Sequence, residues 1–144
     1  MVKLRKIKNG EEHLITNDPV RPHLTFEFRT SNGRMIYVLE NTDTKEIDAV
    51  ICVAIMDEVP TCEEDMQYTG TDIAVFYTVW SYRKGAGREI VFEVAKELKR
   101  THPDIKRFVT LSPITEMAKQ FHLKNGAKFV AKHPKCQNFE YIIA

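Results

Sequence analysis

The chain has 144 residues, of which 43% are hydrophobic and 28% charged, and these values are typical of one folded domain spanning residues 1–144. A formal net charge of +1 excludes a strong overall attraction to nucleic acid. No apolar run approaches the roughly 18 residues of a membrane span, so we expect neither nucleic acid nor membrane as a partner. The three cysteines form no CxxC pair, which favours reduced thiols and a cytoplasmic protein.

The pattern of apolar residues is weak at the amino end and clear from residue 35 onwards. Short strands are predicted near residues 2–7 and 24–28. Two apolar runs joined by a short polar loop, residues 35–40 and 46–56, read as a hairpin. After an acidic loop, residues 71–80 carry apolar side chains at both odd and even positions, which is typical of a strand buried on both faces.

The second half of the chain alternates between helical and extended patterns. Residues 87–100 carry one apolar stripe at helical spacing, and residues 107–111 read as a strand. Pro113 is expected to open a second helix, and Asn125 and Gly126 are expected to end it. The core stripe of that helix is expected to contain Ile114, Met117, Ala118 and Phe121.

Two further strands, residues 127–132 and 139–143, close the chain. The order of elements predicts an α/β (α+β) fold: a mixed, largely antiparallel sheet with a central βαβ crossover and helices on both faces. Exposed edge strands at the carboxyl end could pair two subunits into a homodimer.

The most informative segment lies between the buried strand and the first long helix. Residues 75–88 read VFYTVWSYRKGAGR, so Gly85 and Gly87 stand where the helix begins. The first amides of a helix have no internal partner and, with the positive end of the helix dipole, form an anion site. Lys84 and Arg88 add positive charge. A diphosphate at this turn is the physical hypothesis.

This segment resembles the coenzyme A-binding motif of the GCN5-related N-acetyltransferase family, Gln/Arg-x-x-Gly-x-Gly/Ala after a central strand. Residues 118–129, AKQFHLKNGAKF, are similar to that family's later helix, A-x-x-F/L-Y-x-K-x-G-F. The two segments follow in the family's order with a strand between them, and the resemblance covers residues 35–144.

The resemblance implies acetyl-CoA (coenzyme A) as the cofactor and implies no metal. The strand before the turn would separate from its neighbour and pair with the pantetheine arm, at Val75, Phe76 and Tyr77. Thr115 matches a position that often contacts the cofactor. The diphosphate would lie on Arg83, Lys84, Gly85, Ala86, Gly87 and Arg88.

The chain departs from the family's pattern at three places. Tyr82 replaces the usual Gln or Arg of the first motif. His122 stands where the family often has a tyrosine acting as general acid on the departing thiolate, and a neutral histidine could donate a hydrogen bond or accept a proton. Thr110 stands where a carboxylate often activates the amine, so no general base is identified.

Three functions remain open. The first is an N-acetyltransferase that moves an acetyl or short acyl group from coenzyme A to a primary amine, on a small molecule or a protein. The second is a module of the same fold that binds coenzyme A without catalysis. The third is an acyl-CoA decarboxylase, because residues 108–114, FVTLSPI, resemble a segment of the malonyl-CoA decarboxylases. Ser112 would then contact an oxyanion.

Overall fold

The computed structural model describes residues 1–143, which form one mixed sheet and three α-helices. The helices are α1 (Phe26–Arg29), α2 (Ala86–Thr101) and α3 (Glu116–Lys124). The strands are β1 (Val2–Lys6), β2 (Arg34–Asn41), β3 (Ile47–Met56), β4 (Ile73–Ser81), β5 (Arg107–Thr110), β6 (Ser112–Pro113), β7 (Lys128–Lys132) and β8 (Cys136–Tyr141).

The strand order across the sheet is β1-β2-β3-β4-β5-β8, with β7 on the outer side of β8. The short strand β6 continues the line of β5 and pairs with the other end of β8. Every pairing is antiparallel except that of β4 with β5, which is parallel and is connected through α2. The predicted mixed sheet with a central βαβ crossover is therefore confirmed.

Apolar side chains cover both faces of the sheet. On one face, α2 packs its buried stripe against β3 and β4. The other face carries α1 and two short 3₁₀ helices, Glu12–Asn17 and Glu63–Gln67, whose buried residues include Leu14 and Met66. Helices lie on both faces, as expected. No helix among residues 1–143 has the length and apolar character needed to cross a membrane.

Two local predictions were wrong. Residues 24–28 are not a strand: Thr25 caps a helical turn by accepting a hydrogen bond from the amide of Phe28 at 3.0 Å, and this local bond outweighs the alternation of apolar residues. Pro113 does not open α3, because it pairs with Cys136 in β6. The helix begins three residues later, at Glu116, and is capped by Thr115, whose side chain accepts from the amide of Ala118 at 3.1 Å.

The predicted core stripe of α3 reaches the core only through Phe121, which packs against the buried cluster that α2 covers. Met117 is 84% exposed and Ile114 39% exposed, whereas Ala118 and Phe121 are half-buried and border an open cleft. The stripe has the right spacing but faces a gap in the sheet, so periodicity alone could not distinguish a core from the wall of a cleft.

Candidate functional site

The sheet opens where β4 separates from β5. The parallel pairing ends at Phe76 and Thr110, and the last bond across it runs from the amide of Leu111 to the carbonyl of Phe76 at 3.1 Å. On its other side, β4 has a β-bulge: Cys52 pairs with Thr78 and Val53 with Phe76, which leaves Tyr77 without a partner. A bulge bends its strand, and here the bend coincides with the start of the opening.

The opening forms a cleft of about 600 Å³. One wall is the free part of β4, and the other is formed by β6 and α3. The residues that line it are Pro19, Val20, Phe76, Tyr77, Thr78, Val79, Trp80, Ser81, Gly87, Ser112, Pro113, Thr115, Met117, Ala118, Phe121 and His122. This lining is mainly apolar and contains neither Asp nor Glu, so no carboxylate base faces the space.

The amino end of α2 lies at the same cleft, through Gly87. Gly85 precedes the helix with φ +85°, and no side chain caps the first turn. Among residues 1–143, the amides of Lys84, Gly85, Gly87 and Arg88 donate to no protein acceptor. The positive φ favours glycine at position 85. The turn therefore presents several free donors at the positive end of the helix dipole.

The basic side chains of this turn differ in how available they are to a bound anion. Arg83 is occupied by two carboxylates, Asp48 at 2.9 Å and Glu89 at 2.8 Å, so its side chain is less available to an anion than the sequence suggests. Arg88 donates to Asn125 at 3.3 Å. Lys84 is exposed and has no ion pair within the described part of the chain.

Of the three strand residues expected at the pantetheine, Phe76 and Tyr77 line the cleft. Val75 is fully buried and still pairs with Val109 of β5, and Phe76 is the last paired residue. The open backbone therefore begins at Tyr77, two residues later than expected, and continues to Ser81. The other expected cofactor contact, Thr115, lines the cleft while capping α3.

His122 borders the cleft from α3 and is almost entirely buried, at 6% exposure. Its ring stacks on Phe139 with centroids 5.4 Å apart and meets Phe121 edge-on at 5.1 Å. Burial lowers the pKa of His122 to about 4, because the apolar surroundings disfavour the charged form. The imidazole is therefore neutral at pH 7.

Tyr141 on β8 determines which nitrogen of His122 carries the proton. Its buried hydroxyl lies 2.7 Å from Nδ1 of His122. The Asn125 side chain borders the same hydroxyl, and its Nδ2, which has no other partner among residues 1–143, can only donate. A buried hydroxyl must donate its proton, so Nδ1 is the acceptor and Nε2 carries the hydrogen. Burial also raises the pKa of Tyr141, which keeps the phenol protonated.

The sequence gives no indication of this pair. The two residues are 19 positions apart, and Tyr141 lies in a strand where a buried aromatic residue is ordinary. A contact between a helix and a strand of this kind becomes visible only once the pairing of β8 with β5 is known.

Ser112 lies in the same cleft and is almost fully buried. Its hydroxyl is 2.8 Å from that of Thr110, which accepts from the amide of Phe139 at 3.0 Å. Thr110 has no other acceptor within residues 1–143, so it donates to Ser112. The hydroxyl hydrogen of Ser112 is then free to point into the cleft. Cys52 is no rival nucleophile, because complete burial raises the pKa of its thiol to about 11.

Comparison with known proteins identifies the architecture. A scan against protein-family models and a search of curated proteins found no match. Among solved structures, the N-acetyltransferase PseH from Campylobacter jejuni is 13% identical, with a TM-score of 0.67 and coverage of 99% of each chain. An acetyltransferase from Bacillus subtilis, solved in complex with CoA, is 11% identical, with a TM-score of 0.61 over 96% of this chain and 93% of that one.

Malonyl-CoA decarboxylases match as well. The enzyme from Agrobacterium vitis is 20% identical, with a TM-score of 0.68, over 83% of this chain and 35% of its own length. The chain spans about a third of the length of the malonyl-CoA decarboxylases that it matches. Together the likenesses show one shared fold, at identities that establish the architecture alone.

Proposed function

We propose that this chain, which has the fold of the GCN5-related N-acetyltransferases, transfers an acetyl or short acyl group from coenzyme A to a primary amine. One observation carries the proposal: the sheet opens beside the uncapped amino end of α2, and His122 lines the same opening. A single cleft thus connects the proposed phosphate site at α2 to His122, the proposed hydrogen-bond donor for the reaction.

The residues of the turn fit a diphosphate. Its free amides point outward at the positive end of α2, and a Cβ built on Gly85 would meet nothing within 4 Å, so the space above this turn is open. The backbone of residues 77–81 would pair with an extended pantetheine arm as an added strand would. Bound there, acetyl-CoA supplies an acyl group activated as a thioester.

The side chains and amides of the cleft would then act on the reacting atoms. The backbone amide of Val79, on the open side of β4, would stabilise charge on the acyl oxygen. The C–N bond to the amine forms as the C–S bond breaks, and the proton that the amine loses restores the thiol. The Nε2 hydrogen of His122 would stabilise the departing sulfur as a hydrogen-bond donor.

Binding is tested by thermal denaturation with acetyl-CoA. A ligand at one hundred times its dissociation constant adds about 2.7 kcal/mol to stability, which raises the melting temperature measurably. Gly85→Glu places a carboxylate among the free amides and should abolish the shift, whereas Gly10→Glu, at a distant glycine of positive φ, should preserve it. An intact shift with Gly85→Glu would refute the phosphate site.

Transfer is tested by release of free thiol with a panel of primary amines. The expected result is amine-dependent release that His122→Phe reduces, with little change in cofactor affinity. If acetyl-CoA binds and every amine remains unmodified, the chain is a coenzyme A-binding module and the transfer reaction is excluded.

Acyl-CoA decarboxylation is a second candidate, favoured by a specific arrangement. Ser112 and His122 both direct a hydrogen-bond donor at the same apolar cleft, and the cleft lining has no base for an amine. Decarboxylation requires no acceptor base: the C–C bond to the carboxylate breaks, carbon dioxide leaves, and the enolate oxygen needs donors such as these. Release of carbon dioxide and acetyl-CoA from malonyl-CoA, without added amine, would identify this reaction.

A further inference from the structure

A buried polar network connects the weakly patterned residues 18–29 to the bulge of β4. Asp18 accepts a hydrogen bond from the hydroxyl of Thr78 at 2.9 Å. Its other oxygen pairs with Arg29 at 2.7 Å, and neither of these two side chains has any exposed area. Arg21 donates from Nη1 to the backbone carbonyl of Tyr77. Both residues at the bulge are thus held from the amino-terminal segment.

Stability alone does not account for this network. A buried ion pair commonly stabilises a fold no more than apolar side chains of the same volume, and this pair lies beneath a sheet that is otherwise apolar. What the network provides is position. Asp18 accepts from the amides of Val20 and Arg21 at 2.8 and 3.0 Å, and Arg29 donates to the carbonyl of Arg21. These bonds fix the backbone from which the Arg21 side chain extends.

The carbonyl that Arg21 holds lies on the open side of β4. The amide of Tyr82 donates to the carbonyl of Asp48 in β3, and backbone groups alternate along a strand, so Trp80 and Thr78 also face β3 whereas Val79 faces the cleft. The Tyr77 carbonyl faces the cleft as well. The Tyr77 amide points to β3 instead, because it lies opposite the Phe76 carbonyl in one trans peptide and that carbonyl accepts from Leu111 on the β5 side. The first amide after the bulge that is directed into the cleft is therefore that of Val79.

The second edge of the guanidinium is fixed independently. Nε of Arg21 donates to Glu63 at 3.0 Å, and the other oxygen of Glu63 lies 2.7 Å from His23. Arg21 is 3% exposed, and its chain neighbours Pro19 and Val20 line the cleft. The clamp therefore lies at the border of the cleft, and the bulge cannot rotate without breaking it.

We propose that Arg21 is a positioning residue that fixes the bulge at Tyr77 and so holds the Val79 amide in the orientation needed to stabilise charge on the acyl oxygen. This inference rests on the proposed acyl-CoA chemistry, since it assigns Arg21 a role in the reaction through the Val79 amide. Arg21 itself touches no reacting atom. Its effect should consequently fall on turnover and leave coenzyme A affinity unchanged.

The test uses the full chain with Arg21→Met and Arg21→Lys. Arg21→Met should lower kcat at least about tenfold, since loss of one oxyanion donor costs about 10²–10³ and displacement of one should cost less. Its Kd for coenzyme A should stay unchanged. Arg21→Lys retains one donor for the Tyr77 carbonyl and should recover part of kcat. Arg5→Met, the matched control, removes an arginine that pairs with Glu11 and Glu40 at the far edge of the sheet and should keep kcat close to wild type.

Hydrogen exchange provides a second measurement that needs no turnover. Arg21→Met should speed amide exchange at residues 77–79 while exchange in α2 stays as in the wild type. Unchanged exchange at the bulge in Arg21→Met would overturn the clamp. An unchanged kcat would do the same, and so would a loss of coenzyme A affinity that accompanies the loss of kcat. A wild-type chain that neither binds nor turns over acyl-CoA would refute the proposed function instead, and the exchange at residues 77–79 would then decide the clamp alone.

Discussion

The Tyr141 hydroxyl donates to Nδ1 of His122 across 2.7 Å, so an aromatic residue of β8 sets the tautomer of a histidine on α3. The ring nitrogen that remains, Nε2, then carries a hydrogen at the border of the cleft. The sequence places histidine where the family that it resembles often has a tyrosine, and the structure shows a tyrosine in contact with that histidine. The chemistry expected at position 122 is therefore distributed over two side chains.

Tyr141→Phe should lower kcat about tenfold with coenzyme A affinity unchanged, which is less than the roughly 10²-fold or more that a general acid–base group contributes directly, because Tyr141 acts through His122. The substitution removes the donor to Nδ1, so the ring is free to adopt the other tautomer. Nitrogen chemical shifts of His122 would show the change directly. Tyr37→Phe is the matched control, because the hydroxyl of that buried tyrosine contacts only a methionine sulfur at 3.9 Å. Equal kcat in both variants would contradict the role of Tyr141.

The pH dependence of stability should reveal the burial of His122. Its pKa is about 4 when folded and 6.5 in the ordinary state, so the unfolded chain binds the proton more tightly. The contribution of His122 to the free energy of unfolding is present in full above pH 6.5. It is lost as the pH falls towards 4, by about 3 kcal/mol in total.

Urea unfolding at pH 7 and pH 4 measures this effect. His122→Phe should flatten the difference in free energy of unfolding between the two pH values, whereas His13→Gln, which changes an exposed histidine, should leave it as in the wild type. An equally steep dependence in His122→Phe would show that His122 is not the group responsible.

The regular part of this fold could be read from the sequence because its signals are local. The helix α2 was predicted at 87–100 and is observed as Ala86–Thr101, since its apolar stripe, basic last turn and following proline all agree. The hairpin of β2 and β3 was equally predictable, because two apolar runs are joined by a short polar loop. The exposed stripe of α3 was misassigned to the core. The spacing of apolar residues identifies an apolar face of a helix but does not show whether another element covers that face.

The site could be predicted only where it depends on consecutive residues. The turn at Gly85 is visible in the sequence because glycine and helix start are adjacent. The clamp of Arg21 on Tyr77 joins positions 56 residues apart, in a segment that has no periodicity. Polar residues in such a segment are usually exposed, so burial of Asp18 and Arg29 cannot be inferred without the fold.

Arg29→Met should destabilise the chain by about 3–5 kcal/mol, because it leaves the carboxylate of Asp18 buried and unpaired. The free energy of unfolding in urea measures this loss. Arg107→Met is the control: its ion pair with Glu140, at 2.8 Å, is partly exposed and should contribute about 1 kcal/mol or less. Similar losses in the free energy of unfolding in the two variants would show that the buried pair of Asp18 and Arg29 contributes no more than the partly exposed one.

Ser112→Ala separates the two candidate reactions, because Ser112 has a chemical role only in decarboxylation. The substitution removes the hydroxyl that Thr110 leaves free to donate into the cleft. If the chain decarboxylates malonyl-CoA, carbon dioxide release should fall about 10²-fold, as expected for loss of one oxyanion donor. If it transfers an acyl group to an amine, thiol release should change little, since the Val79 amide stabilises the oxygen.

The matched control for this prediction is Ser31→Ala, which removes a hydroxyl whose partners, Arg34 and the carbonyl of Phe28, lie outside the cleft lining. Both variants should bind coenzyme A as the wild type does in thermal denaturation, because neither hydroxyl belongs to the turn at Gly85. A Ser112→Ala chain that loses coenzyme A binding would instead place Ser112 on the cofactor itself. That outcome would remove the basis for assigning decarboxylation to this serine.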